Sequence, residues 1–491
     1  MPRALPFLAL LLTTPLLAAD FVDPAPPTVN KIASAGEPKP VAYPELTFHA
    51  APKPLAPGAV TEDSPGFLGL RHQPNSAETK LLADVSKLKP VWEAKKGNGY
   101  AGPAVVGDRL ILFHRVGDAE TVDCLHAQTG QRIWRVGYPT TYRDRYGYTN
   151  GPRCTPAVDI EAGLVVTHGV EGVLQAIDLK TGQVSWRRDL LAEFKLEPNF
   201  FGVGAAPLIE GGVVVVNVGV KNACVVGFDL RTGKAVWASP APNHWGPSYA
   251  AVVPATVHGL RRVFVFAGGE SRPATGGLLC LDPKTGAVDF ALPWRGRRYE
   301  SVNASAPLIH ENTAFVSECY GRGGMLVDMT RDGDKLAGKV RWTNESFGTH
   351  FMTTVPVDGV LVGCDGHGPA DCPLVAVDVK TGEEKWRAEP DLSEEITTRT
   401  GEKLLRRRST DRCHLLQADG RTLCLTEWGH LLWLDCTAKG VKVASRRSLF
   451  DAGETWTPPV LSRGLLYVCQ NQPDRIGGRE QRILCYDLRG E

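Results

Sequence analysis

The chain carries almost no net charge: 55 Lys and Arg stand against 54 Asp and Glu, giving +1 over 491 residues. Without a long-range positive field it has no means of gathering a polyanion, so nucleic acid is excluded as a main partner. Beyond the first residues no apolar run approaches the roughly 20 that a membrane helix needs, so no transmembrane segment is expected. Twelve cysteines are present, yet C-x-x-C, C-x-x-C-H and adjacent cysteines are all missing. That removes thioredoxin-type exchange, haem attachment and a vicinal disulfide. G-x-S-x-G is missing as well, which leaves a Ser-His-Asp hydrolase without its usual nucleophile turn.

What the chain does have is a repeat. The clearest copies are D-L-K-T-G at 178–182 running to Trp186, D-L-R-T-G at 229–233 running to Trp237, and D-V-K-T-G at 378–382 running to Trp386. Looser copies lead from His126 to Trp134, Asp282 to Phe290, Asp328 to Trp342 and Asp435 to Phe450, and a last half-copy at Asp487 has no aromatic after it. A period of about 50 residues indicates propeller blades rather than a helical solenoid. Within one period, short β-branched runs alternate with Gly, Asp and Pro, reading as four strands. The Asp accepts from backbone N–H groups two residues on and the Gly supplies a left-handed conformation, so D-x-x-T-G is a tight turn between the third and fourth strands. With 43% hydrophobic residues, 52 Gly and 36 Pro, the composition suits a turn-rich all-β domain.

The eighth blade lacks its outer strand, and a spare strand around Trp92 lies at the other end of the chain. The expected architecture is an eight-bladed β-propeller of four-stranded blades over residues 89–491, the last blade closed by the N-terminal strand. Closure removes the free edges that an open array would expose. The docking aromatics are then Trp92, Trp134, Trp186, Trp237, Phe290, Trp342, Trp386 and Phe450, each packing against a neighbouring blade. Residues 1–19 read as a cleaved secretory signal: Arg3, an apolar run, then Ala18 and Ala19. No cysteine lies near that site to carry a lipid, so a periplasmic or secreted protein is expected. Residues 20–88, rich in Pro and Ala, read as an arm or linker. The charged stretch 387–412 reads as a surface excursion between blades six and seven.

In an exported chain cysteines invite disulfides. The position two residues before the turn holds Cys124, Ala176, Gly227, Cys280, Ala376, Trp433 and Cys485, so cysteine there serves as a small core filler. Cys364 and Cys372, flanking one loop, are the expected pair.

The A-x-D-x-x-T-G-x-x-x-W repeat, complete from Ala176 to Trp186, resembles the tryptophan-docking motif of the pyrroloquinoline quinone (PQQ)-type eight-bladed propellers. These include quinoprotein alcohol dehydrogenases and BamB-like outer-membrane assembly scaffolds. The Y-G-Y-T-N-G-P-R run at 146–153, followed by T-P-A-V, is similar to exported PQQ-like repeat proteins of bacteria. The resemblance covers residue 89 to the C-terminus and implies the fold; function lives in the loops.

In such propellers the connections between blades share one face. Here they bring Tyr148, Asn150, Arg153, Trp245, Arg297, Glu300, Asn303, His350, His414 and Trp456 toward one channel mouth, with Asn98, Tyr100, Asn199, Phe200, His244, Tyr249, Tyr299 and Glu454 around them. Aromatic, amide and charged groups converging there form the candidate ligand site. A PQQ dehydrogenase would use Arg153, Arg297 or Arg298 for the quinone carboxylates, Trp245 or Trp456 as the stacking plane, and Glu300 with Asn303 as calcium oxygens. The adjacent cysteines of many alcohol-oxidising members and an equivalent calcium-site aspartate are missing from this sequence. The reading is therefore a monomeric binding or scaffold protein of the cell envelope, taking a protein or small molecule on its loop face, with no catalytic residue and no metal assigned. The alternative is a PQQ- and calcium-dependent dehydrogenase. His350, His367 and His414 offer three potential metal ligands, but without zinc spacing.

Overall fold

A computed structural model describes residues 21–28, 43, 45–196, 199–269, 274–368, 372–397 and 401–490. The proposed signal lies outside them. Eight four-stranded antiparallel blades follow one another around a ring. Blade one comprises Ala104–Val106, Arg109–Val116, Ala119–His126 and Arg132–Pro139. Blades two to seven start at Ala157–Asp159, Leu208–Glu210, Val253–Val257, Leu308–His310, Val355–Val357 and His414–Ala418. Blade eight is Val460–Ser462, Leu465–Gln470 and Arg482–Asp487, closed by Lys89–Lys95, whose Trp92 sits opposite Cys485. A short strand from the arm, Leu46–Phe48, pairs with the closing strand and covers its edge.

The core lies between blades rather than at one centre. Val106, Ile111 and Phe113 of blade one interlock with Val158, Val165 and Ile177 of blade two, and equivalent clusters recur around the ring. The repeat motif explains how adjacent blades are held in register. Asp178 Oδ1 accepts from Thr181 N and Thr181 Oγ1, both at 2.7 Å, which folds the turn and puts Gly182 at φ +76°. Trp134 of the preceding blade lies on that glycine, and its Nε1 donates to Leu179 O at 3.0 Å. Trp92, Trp186, Trp237, Trp342 and Trp386 likewise donate to Ala127, Leu230, Pro283, Val379 and Thr437 carbonyls at 2.8–3.1 Å. Phe290 has no N–H to give and packs over Gly338. In every blade the outer strand carries one extra residue just before this position. Such a bulge re-aims the side chain toward the next blade.

Blade seven departs from the expectation. Phe450 lies past the end of the outer strand Gly440–Ser448 and packs on Gly429 of its own blade. The docking register position holds Ser445, and opposite it stands Trp433 from the third strand, whose Nε1 donates to Leu82 O at 2.8 Å. Aromatic and small residue have exchanged strands, and the carbonyl comes from the arm.

The arm itself is built into the ring. Residues 62–78 cross the turn-side end of the central channel. Ser64 and Val105 exchange backbone hydrogen bonds, and Val158 N donates to Pro65 O. Gln417 N donates to Pro74 O, and Ile309 N to Gln73 Oε1. The inner strands of blades one, two, five and seven are thus tied to one segment. Phe67 packs among Cys154, Val203, Ala206, Ala251 and Ala306, residues leading into four inner strands. The stretch 387–412 contains a hairpin, Glu394–Thr397 with Lys403–Arg406, anchored to blade seven through Arg406 and Arg408 on Asp451.

Candidate functional site

On the face away from residues 62–78, which plug the turn side, the connections between blades bring aromatic rings together. Trp456, from the connection into blade eight, touches Tyr100 at 5.0 Å, Tyr148 at 5.3 Å and Phe351 at 5.5 Å between ring centroids. Tyr148 continues to Phe201, and Phe201 to Tyr249. These rings come from six different connections and form one contiguous, half-buried cluster at the channel mouth.

Polar groups fix the Trp456 ring in place. The Arg412 guanidinium lies 4.6 Å from its centroid, a cation–π contact, and is ion-paired to Glu427 through Nε at 2.9 Å and Nη2 at 2.5 Å. Glu427 also accepts from Trp456 Nε1 at 3.2 Å. Glu454 accepts from the Tyr100 hydroxyl and from Gln472 Nε2. His414 is buried with Nε2 2.9 Å from Trp456 O, and burial lowers its pKa to about 4. Burial, with the nearby Arg412 and His367, pushes His350 down to about 3. Both rings are therefore neutral at pH 7.

The ten expected site residues divide. Tyr148, His350, His414 and Trp456 meet in or beside the aromatic cluster. Arg153 lies next to Tyr100 but is ion-paired to Asp144 at 2.7 Å. The Asn150 side chain accepts from Asp144 N and shapes the same loop. Trp245 is elsewhere: it is buried between blades three and four with Val225, Val265 and Leu279, over Gly277. Asn303 is buried, its Nδ2 donating to Ala267 O and Trp294 O while its Oδ1 has no partner. Arg297 and Glu300 are exposed on the outer rim with Arg298 and Tyr299. His367 stacks on Tyr320, and Phe351 stands between His350 and His414. Among the described residues no three His, Cys, Asp or Glu side chains gather as metal ligands.

Sequence reasoning passed over Phe201, Tyr320, Phe351, Arg412 and Glu427. Phe201 and Phe351 were detectable as neighbours of Phe200 and His350. Arg412 and Glu427 meet only through the fold.

The family model for outer membrane protein assembly factor BamB matches residues 118–388, more than half of the chain. The chain belongs to this family. Curated relatives include BamB of Burkholderia pseudomallei, 23% identical over 55% of this chain and 71% of that protein. They also include quinoprotein alcohol dehydrogenase PedH of Pseudomonas putida, 25% identical over 62% of this chain. Quinohemoprotein alcohol dehydrogenase ADH-IIG of the same species is 31% identical over 32% of this chain. The chain spans 48% of PedH and 22% of ADH-IIG. Among solved structures, quinohemoprotein alcohol dehydrogenase from Comamonas testosteroni superposes with a TM-score of 0.59 at 13% identity, covering 87% of this chain and 81% of that one. BamB from Moraxella catarrhalis gives 0.53 at 18%, covering 82% and 99%. These likenesses establish the family and the propeller, which BamB and the dehydrogenases share. No helix among the described residues is long and apolar enough to cross a membrane.

Proposed function

We propose that this protein is a binding scaffold of the cell envelope that holds a protein partner on its loop face. The observation that carries this reading is the commitment of the mouth's aromatic and basic groups to one another. A quinone needs a free aromatic plane and uncommitted basic groups. Trp456, the expected plane, is packed by Tyr100, Tyr148, Phe351 and Arg412. Trp245 is core, Arg153 is neutralised by Asp144, and Arg412 by Glu427. Of the expected calcium oxygens, Glu300 is exposed on the rim while Asn303 is fully buried with Oδ1 unpartnered, so the two do not come together as one ligand set. This constellation does not fit PQQ with calcium.

The rim offers something different. Tyr146, Tyr148 and Tyr299 stand 54%, 39% and 45% exposed, joined through Phe200 and Phe201, with Arg145 beside Phe200 and Arg297, Arg298 and Glu300 nearby. Exposed aromatic and arginine side chains are the residue types that anchor protein interfaces. The family description supports an envelope location. A photo-crosslinking residue in place of Tyr299, compared with one in place of Lys180 on the opposite face, tests the reading. It requires a discrete crosslinked partner from Tyr299 and none from Lys180; equal labelling from both faces would refute it.

A further inference from the structure

All twelve cysteines are free, and most of their sulfurs behave as the sequence suggests, as small core groups. Where a sulfur does find a polar neighbour, that neighbour is usually a backbone carbonyl: Ala205 for Cys154, Trp245 for Cys224, Gly368 for Cys372. Cys364 and Cys413 differ. Their Sγ atoms lie 2.8 Å apart, both side chains fully buried. Cys364 ends the second strand of blade six, and Cys413 immediately precedes the first strand of blade seven. The expected partner Cys372 is turned away, onto Gly368 O at 3.0 Å.

The location gives the pair a purpose. Blades six and seven are separated in sequence by the inserted hairpin. The indole bond between them, Trp386 Nε1 to Thr437 O, is exposed to solvent. Blade seven also lacks an aromatic at its own docking position. A covalent tie here would restrain the part of the ring where the repeated contact is weakest.

We propose that Cys364 and Cys413 form a structural disulfide joining blades six and seven when the chain folds under oxidising conditions. Formation in the cell rests on the envelope reading, since such bonds persist in oxidising compartments. One thiolate attacks the disulfide of an oxidant, either glutathione disulfide or an exchange protein, and displaces one of its thiols. The second cysteine thiolate then attacks the mixed disulfide and releases the other. Two protons and an electron pair pass from the cysteines to the oxidant, which ends as two thiols. Burial pushes the Cys413 thiol well above its ordinary range, so thiolate is scarce once the blades have closed. The bond therefore forms during folding, and the folded reduced protein oxidises slowly.

The test is refolding of the full chain from denaturant in glutathione redox buffer, followed by alkylation under denaturing conditions and peptide mapping. The expected product is a Cys364–Cys413 linked peptide, with the other cysteines alkylated. Its urea midpoint should exceed that of the Cys364→Ala/Cys413→Ala variant, and reductant should erase the difference. A bond from Cys364 to Cys372 or Cys424, or twelve alkylated cysteines, would overturn the proposal. Mapping the protein purified directly from its native cells, with thiols blocked at lysis, separates the two readings. A link that forms on refolding but is missing from the native protein upholds the pairing and counts against the envelope location.

Discussion

At the scale of residues, the repeat works through a glycine and an indole. Gly233 has φ +69°, and a Cβ there would come within 2.5 Å of the Trp186 ring, so strain and overlap act together. Gly233→Ala is expected to destabilise the fold by about 1–3 kcal/mol. Trp186→Phe keeps most of the packing but loses the bond to Leu230 O, a loss of about 1 kcal/mol. Urea denaturation of both variants checks the order. These roles were legible in the sequence because each motif contact is encoded by residues at fixed spacing. The exchange of Trp433 with Ser445 was not, since the aromatic count alone pointed to Phe450. Trp245 misled for a similar reason: its loop position was readable, but the direction of its side chain depends on the neighbouring blade.

At the scale of elements, the arm is the main addition to what the sequence conveyed. Its Pro-rich composition signals little regular structure, and its value lies in backbone pairing with strands far away in the chain. Asp substituted for Phe67 would place a charge among Cys154, Ala206 and Ala251. Hydrogen exchange should then lose protection at the Val105, Val158 and Gln417 amides, which donate to residues 64, 65 and 74. Amides between outer strands, such as those of blade four, should keep theirs. Uniform loss across all blades would mean that the plug is inseparable from the ring. The closing strand, by contrast, was readable from its tryptophan and from the missing strand at the other end.

At the scale of the whole molecule, acid should weaken the protein early. Burial lowers the pKa of His72, His168 and His414 to about 4, and burial with the neighbouring Arg412 and His367 takes His350 to about 3. Between their ordinary value of 6.5 and about 4, the unfolded chain binds protons that the folded chain refuses, so stability falls as pH falls. Buried Glu120 and Glu318, pushed upward by desolvation, oppose this. Asp123 starts from burial, which would raise it, but hydrogen bonds from Arg135 and His114 hold it at about 2. Its contribution, present above about 3.8, disappears only as pH falls through 2. Urea midpoints measured from pH 7 to 4.5 should drop, and the drop should be shallower in His168→Leu.

The fold was legible because one turn-and-aromatic contact recurs around most of the ring, whereas the loop face is assembled from unrelated connections, and only their meeting decides what it binds. Calorimetric titration of the full-length protein with PQQ, with and without calcium, followed by a dye-linked assay on alcohols and sugars, tests the central claim most directly. The account predicts no binding heat and no turnover under either condition. Calcium-dependent binding with turnover would contradict it and make the channel mouth a dehydrogenase site.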